Sequence, residues 1–127
     1  MKYLLDTHTF LWYFNDSDKL SETADNIFED ANVRKYVSVA SLWEFAIKYS
    51  SGKLQFDGGL SLLWEMLTKN GFTILPIAQP HIEGTIHLPF HHRDPFDRLL
   101  ISTALAENLT IITADENVRR YDVPWLW

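Results

Sequence analysis

Four carboxylates, Asp6, Glu44, Asp97 and Asp115, are the residues of this chain whose type and setting could do chemistry together. Carboxylate oxygens are the ligands that hard cations such as Mg²⁺ and Mn²⁺ prefer. A cluster holding such an ion can position a water, lower its pKa and stabilise the charge that develops on a phosphodiester. Without the ion the same acids repel one another, so some of their pKa values should rise and the cluster should be destabilising. A fold that keeps such a cluster is expected to keep it for function.

Each acid also has a purely structural role open to it. Asp6 and Asp115 immediately precede helical stretches and suit N-caps. Glu44 completes a Ser-x-x-Glu capping box with Ser41. Asp97 falls in the first turn of a helix, where the dipole favours an acid. Capping does not require an acid at the site-facing end of so many separate elements, and the joint pattern favours metal. Asp94 is assigned mainly to capping, because Asp94-Pro95 is a strong helix-start signature; a reach to metal through a water stays open. Asp16, Asp18, Asp25, Glu29 and Asp30 are read as solvated surface.

The elements that must position these acids alternate along the chain. Lys2 to Leu5 reads as a strand ended by Asp6, and Phe10 to Phe14 as a helix or turn. Ser21-Glu22-Thr23 opens a helix to about Ala31. Tyr36 to Val39 reads as a strand, and Ser41 to Glu44 opens a helix that ends near Ser51-Gly52. Leu60 to Lys69 is a helix stopped by Asn70-Gly71, and Phe72 to Leu75 a strand. Pro80 starts a short helix with His81 and Ile82. Asp94 opens a longer, largely apolar helix through Ala106 that should be deeply buried. Thr110 to Thr113 is a strand without alternation, as burial on both faces produces. The apolar tail Val123 to Trp127 suits an edge strand or an interface.

Strands alternating with helices predict an α/β fold, a three-layer α/β/α arrangement around a mostly parallel sheet. In such a sheet ligands bind outside the carboxyl ends of the strands. Asp6, Glu44 and Asp115 each follow a predicted strand closely, and Asp97 starts a helix, so all four can converge on one crevice.

The 127 residues suit a single domain, and 46% hydrophobic and 14% aromatic content can supply its core. The chain has no cysteine, which excludes disulfides and thiolate metal sites and points to a reducing cytosol. Met1 to Asp6 meets a charge too soon for a signal peptide, and no apolar run approaches the ~20 residues of a membrane span. A net charge of −6 argues at first against a nucleic-acid partner. Setting the four acids aside leaves 13 acids against 11 bases, so part of the acidity is what a metal site carries without its ion.

Tyr3-Leu4-Leu5-Asp6-Thr7, then Glu44 early in a helix, then Asp97-Arg98-Leu99-Leu100-Ile101-Ser102-Thr103-Ala104, then Ile111-Ile112-Thr113-Ala114-Asp115 resemble the successive motifs of PIN-domain ribonucleases. Size, order and spacing most resemble the VapC-type toxins of bacterial toxin–antitoxin pairs, over essentially the whole chain, residues 1–127. The resemblance implies a cytoplasmic Mg²⁺- or Mn²⁺-dependent endoribonuclease, a homodimer, and a small antitoxin that blocks the site. It gives Asp6, Glu44, Asp97 and Asp115 the metal-site roles, with Asp6 and Asp97 the direct ligands, and makes Thr113 the hydroxyl residue that supports the fourth acid.

His91, His92, Arg93 and Arg98 cluster around Asp97 and could contact phosphates or protonate a leaving group. They equally suit a solvated loop. His8 follows Asp6 directly but is read as packed or capping. Trp12, Trp43, Trp64, Trp125 and Trp127 should mostly fill the core, with exposed members left for a partner helix or a dimer face. Haloacid-dehalogenase-type phosphoryl chemistry wants a second Asp two residues after the first, where His8 stands. A receiver domain wants its Asp on a middle strand, where Phe72 to Leu75 runs into Pro76. The non-enzymatic alternative is a PIN-like module that binds RNA or protein without cutting.

Overall fold

The structure, a computed structural model, describes residues 1–127. In chain order the elements are β1 (Lys2–Leu5), α1 (Thr7–Phe14), α2 (Glu22–Glu29), β2 (Arg34–Ser38), α3 (Val39–Ser50), α4 (Gly59–Lys69), β3 (Thr73–Leu75), α5 (Gln79–Ile86), α6 (Pro95–Glu107), β4 (Thr110–Ile112), α7 (Glu116–Arg119) and β5 (Trp125–Leu126). The five strands form one sheet in the order β3-β2-β1-β4-β5. Every pairing is parallel.

The pleat of the central strands explains the three layers. Tyr3 and Leu5 join a core cluster with Phe10, Phe28, Phe45, Leu63 and Leu67, from α1 to α4. Leu4, between them, joins a second cluster with Leu100, Ile101, Ala104 and Val118, from α6 and α7. Ile111 and Ile112 divide between the two clusters in the same way. Successive strand side chains point to opposite faces, so a continuous apolar run covers both faces with helices.

The chain steps outward from β1 to β2 to β3, then returns through α5 and α6 to place β4 on the other side of β1. The direction of winding therefore reverses between β1 and β4. That reversal leaves a crevice outside the carboxyl ends of these two strands. Asp6 ends β1, and its backbone N–H still bonds Ile112 O at 3.1 Å. Asp115 follows the end of β4 by three residues.

Three sequence expectations change. The second strand begins earlier and ends at Ser38, because the Ser38 hydroxyl accepts from Ala40 N at 3.1 Å and starts the helix at Val39. Ser41 thus lies inside α3 and caps nothing. No tryptophan is buried: Trp43 is 63% exposed, and Trp12 and Trp127 pack on each other at 5.7 Å. The large buried side chains are Phe10, Phe45 and the Leu and Ile residues instead. The tail does pair as an edge strand, with Ile111 opposite Trp125. No helix is long and apolar enough to cross a membrane.

The packing of α5 on α6 supports the segment that precedes Asp97. A Cβ on Gly84 would collide with the Ser102 hydroxyl, which donates to His81 O at 2.6 Å. Gly84→Ala gains about 1 kcal/mol of helix propensity but loses about 1–3 kcal/mol to overpacking. The expected net effect in urea unfolding is destabilisation. Ser102→Ala in the same chain should recover most of it, since Ser102 Cβ alone stays at ordinary contact distance.

Candidate metal centre

Asp6 is the N-cap of α1, and its Oδ1 accepts from Thr7 N at 2.7 Å. Its Oδ2 accepts from the Thr113 hydroxyl at 2.7 Å, across the β1–β4 pair. The same hydroxyl accepts from Asp115 N at 3.0 Å, so Thr113 ties the ends of both central strands together. Asp115 caps α7 through Asn117 N at 2.8 Å. Asp94 caps α6 by accepting from Asp97 N at 2.9 Å, behind a Pro at the first helical position.

Glu44 is not a cap. It sits in the middle of α3, one turn beyond the capping-box position expected of it, and is buried. Its Oε1 accepts from the Thr7 hydroxyl at 2.6 Å and its Oε2 from Lys48 Nζ at 2.9 Å. Thr7 thereby links the first turn of α1 to α3.

These elements bring Asp6, Glu44, Asp94, Asp97 and Asp115 to the walls of one crevice of about 70 Å³, together with Thr7, His8 and Lys48. No apolar side chain lines it. His8 caps nothing. It is exposed at the crevice edge and packs its ring on Trp12 at 5.9 Å. Lys48 is the one ammonium or guanidinium on the wall. Its place four residues after Glu44 is a helical (i, i+4) pairing, a signal the sequence offered.

The electrostatics are those of crowded anions. Burial, then the charges of Asp6, Asp94, Asp115 and Glu44, push Asp97 up to about 8. Burial raises Asp6 as well, and its hydrogen bond from Thr113 opposes that rise. Burial pulls the Lys48 ammonium down, but the bond and charge of Glu44 outweigh it, with Asp94 and Asp97 adding, and the net shift is upward. A carboxylate held near pH 8 in a crevice without apolar walls is stabilised by a cation. The donors are all hard oxygens, which suits Mg²⁺ or Mn²⁺. As arranged, no three of these side chains are drawn together tightly enough to hold an ion. Thr7 and Lys48 occupy the Glu44 oxygens.

The basic cluster behaves differently from its sequence reading. Arg98 is 6% exposed, and its terminal nitrogens donate to Pro89 O, Thr85 O, Leu88 O and Tyr121 Oη. With four acceptors on the four N–H groups of those nitrogens, it has none of them left for a phosphate. His92 is also turned inward, with Nδ1 on Tyr121 Oη at 2.8 Å and Nε2 on Asp97 Oδ2 at 3.0 Å. His91 packs edge-on to Tyr121 at 4.8 Å. Arg93 is exposed and lies over the Phe90 ring, outside the crevice wall. Tyr121 escaped the sequence reading, since nothing local links it to residues about thirty positions earlier.

Thr113→Val removes the hydroxyl under Asp6 at nearly constant volume. Leaving that buried carboxylate without its donor should cost about 1–3 kcal/mol in denaturant unfolding near pH 7. The Asp6 carboxyl should titrate higher still, followed by its side-chain NMR shift.

Fold and crevice together define a parallel α/β/α protein with an acidic site at its topological switch point. The PIN domain family model matches residues 3–124, and the chain belongs to that family. Among solved structures it is similar to VapBC2 from Rickettsia felis bound to a promoter DNA fragment, at 19% identity and TM-score 0.75, covering 100% of this chain and 99% of that one. It is also similar to DNA-bound VapBC from Salmonella typhimurium, at 15% identity and TM-score 0.73, covering 99% and 97%. VapBC-1 from nontypeable Haemophilus influenzae gives 19% identity and TM-score 0.69, again covering 99% and 97%. No curated protein matches the sequence.

Proposed function

We propose that this chain, over residues 1–127, is one metal-dependent endoribonuclease domain, the toxin of a toxin–antitoxin pair. The observation that carries the reading is the meeting of Asp6, Glu44, Asp97 and Asp115, from four separate elements, in one crevice at the switch between β1 and β4. Membership of the PIN domain family supports the nuclease class. The VapBC complexes among its structural neighbours support a cognate antitoxin partner; RNA as the substrate and assembly as a homodimer are part of the proposal.

Asp6 and Asp97 are the direct ligands of Mg²⁺ or Mn²⁺, with Asp115 and Glu44 completing the set. The ion, when bound, supplies a Lewis acid and a water of lowered pKa beside the scissile phosphodiester. The chain's own residues do the rest. Thr113 holds Asp6 in place through its hydroxyl, and Asp94 fixes the start of α6 that presents Asp97. Lys48 neutralises Glu44 in the resting crevice and is the wall cation able to meet a phosphate oxygen. Arg93, exposed beyond the wall, meets the RNA backbone.

The test incubates purified, antitoxin-free protein with structured RNA and Mn²⁺, with EDTA as the control. Metal-dependent cleavage supports the reading. Retention of RNA without any cleavage and without bound Mn²⁺ would replace it with a PIN-like binding module. An acidic surface of net charge −6 disfavours that alternative, since RNA binding without metal wants a basic face.

A further inference from the structure

Asp97 stands among four like charges in the crevice, yet one of its oxygens has a partner from inside the protein. His92 Nε2 lies 3.0 Å from Asp97 Oδ2, and both side chains are largely buried, 13% and 14% exposed. Behind His92 sits Tyr121, itself 4% exposed and packed in the second core cluster. Tyr121 Oη lies 2.8 Å from His92 Nδ1. Arg98 Nη1 donates to the same Oη at 3.0 Å. The four groups form one chain: Arg98, Tyr121, His92, Asp97.

The donors assign the protons along it. A guanidinium can only donate, so Tyr121 Oη accepts from Arg98. A longer bond of 3.3 Å from His92 N fills its second lone pair. The phenol hydrogen then takes the shortest contact, to His92 Nδ1, rather than His92 O at 3.3 Å. An imidazole accepting at Nδ1 carries its hydrogen at Nε2, and that N–H donates to Asp97 Oδ2. The relay therefore delivers a fixed donor to one oxygen of Asp97 and leaves Oδ1 to the crevice.

We propose that Tyr121 and His92, backed by Arg98, are positioning residues that hold Asp97 in the rotamer and hydrogen-bonded state needed to ligate the metal. The proposal rests on the nuclease reading above. Asp6, Asp94, Asp115 and Glu44 line the same crevice, and their like charges favour an Asp97 side chain turned away from it. A donor anchored in the core opposes that movement. Outer partners of this kind orient ligands and typically change metal affinity by about 10- to 100-fold when lost. The geometry also gives the buried arginine a purpose that phosphate contact does not supply.

The experiment measures Mn²⁺ dissociation constants in the full chain, without RNA, for wild type, His92→Asn, His92→Gln, Tyr121→Phe and Asp97→Asn, with folding checked by circular dichroism. The glutamine amide can reach the Nε2 position and the asparagine amide cannot. His92→Asn and Tyr121→Phe should weaken Mn²⁺ binding by about 10-fold or more, and His92→Gln by no more than about 3-fold. In parallel, ¹⁵N shifts of the His92 ring in metal-free protein should show the hydrogen on Nε2 in wild type and a loss of that preference in Tyr121→Phe. Wild-type affinity retained by folded His92→Asn and Tyr121→Phe overturns the relay while leaving the nuclease reading intact. So does a wild-type ring protonated at Nδ1. A wild type that binds no Mn²⁺ and cleaves no RNA overturns the nuclease reading, and the relay's role with it.

Discussion

Asp97→Asn should lower the rate of RNA cleavage in Mn²⁺ by roughly 1000-fold, and Asp6→Asn by a similar factor. A metal acting on a phosphodiester supplies several kcal/mol of transition-state stabilisation, and about 4 kcal/mol corresponds to that factor. Both substitutions keep the side-chain shape. In Asp97→Asn the amide oxygen can still accept from His92 Nε2. In Asp6→Asn the amide oxygen can keep the bond from Thr7 N while the amide N–H donates to the Thr113 hydroxyl oxygen. The fold should therefore survive, and lost activity would report lost charge. Asp115→Asn and Glu44→Gln should cost less, about 10-fold each. Asp115 has one oxygen committed to Asn117 N, and Glu44 shares its charge with Lys48. Full cleavage by both Asp6→Asn and Asp97→Asn would sink the site assignment. The readout is single-turnover cleavage of a labelled RNA.

The same cluster should make the metal-free protein sensitive to alkali. Asp97 is raised to about 8 in the folded state, by burial and by its like-charged neighbours, from an ordinary value near 3.8. The folded protein thus holds a proton that the unfolded chain gives up. Its stabilising contribution is complete below about pH 4 and is lost as pH rises through about 8. Asp6, raised chiefly by burial, acts in the same direction. Metal-free wild type should therefore melt lower at pH 8.5 than at pH 5.5, by on the order of 5 °C or more. Asp97→Asn has no such proton to lose and should show a flatter profile, more stable than wild type at the alkaline end. Mn²⁺ should restore the wild type at pH 8.5 by neutralising the acids, and should do little for Asp97→Asn. A Tm difference between the two proteins that does not grow with pH would contradict the electrostatic account, as would a wild type indifferent to Mn²⁺. Differential scanning fluorimetry in matched buffers with and without EDTA reads both effects.

These outcomes bear on how Glu44 should be regarded. The capping box with Ser41 offered it a structural purpose, and the structure removes that purpose. Ser38, three residues earlier, starts the helix because its hydroxyl reaches Ala40 N as the strand ends. Glu44 is then carried one turn into α3, where its carboxylate meets Thr7 from α1 and Lys48 from its own helix. A buried acid on one ammonium and one hydroxyl, sharing a crevice with four further acids, is costly to hold for packing alone. The tryptophans carry the opposite lesson. Composition assigned them to the core, but the sheet faces are filled by Phe, Leu and Ile, and Trp43 is left exposed against Phe96 at 5.5 Å.

Read by themselves, the residues determined the alternation of strands and helices, the parallel class of the sheet, and the four acids with their motif order. These are local properties. Apolar periodicity, β-branched runs, Asp-Pro and Asn-Gly boundaries act over a few residues, and each acid is placed by the element it ends or begins. The tertiary structure alone decided where those elements meet. The order β3-β2-β1-β4-β5 puts β4 beside β1, and only that crossover turns Asp6 and Asp115, 109 positions apart, into two walls of one crevice joined by a threonine hydroxyl. It also decided which neighbours of Asp97 are inward and which are wet. Arg98 and His92 read as surface bases beside an acid; packing of Tyr121 against α6 makes them a buried support behind it. Such assignments depend on contacts between residues remote in the chain, whose burial and hydrogen bonding are fixed when the layers close and not before.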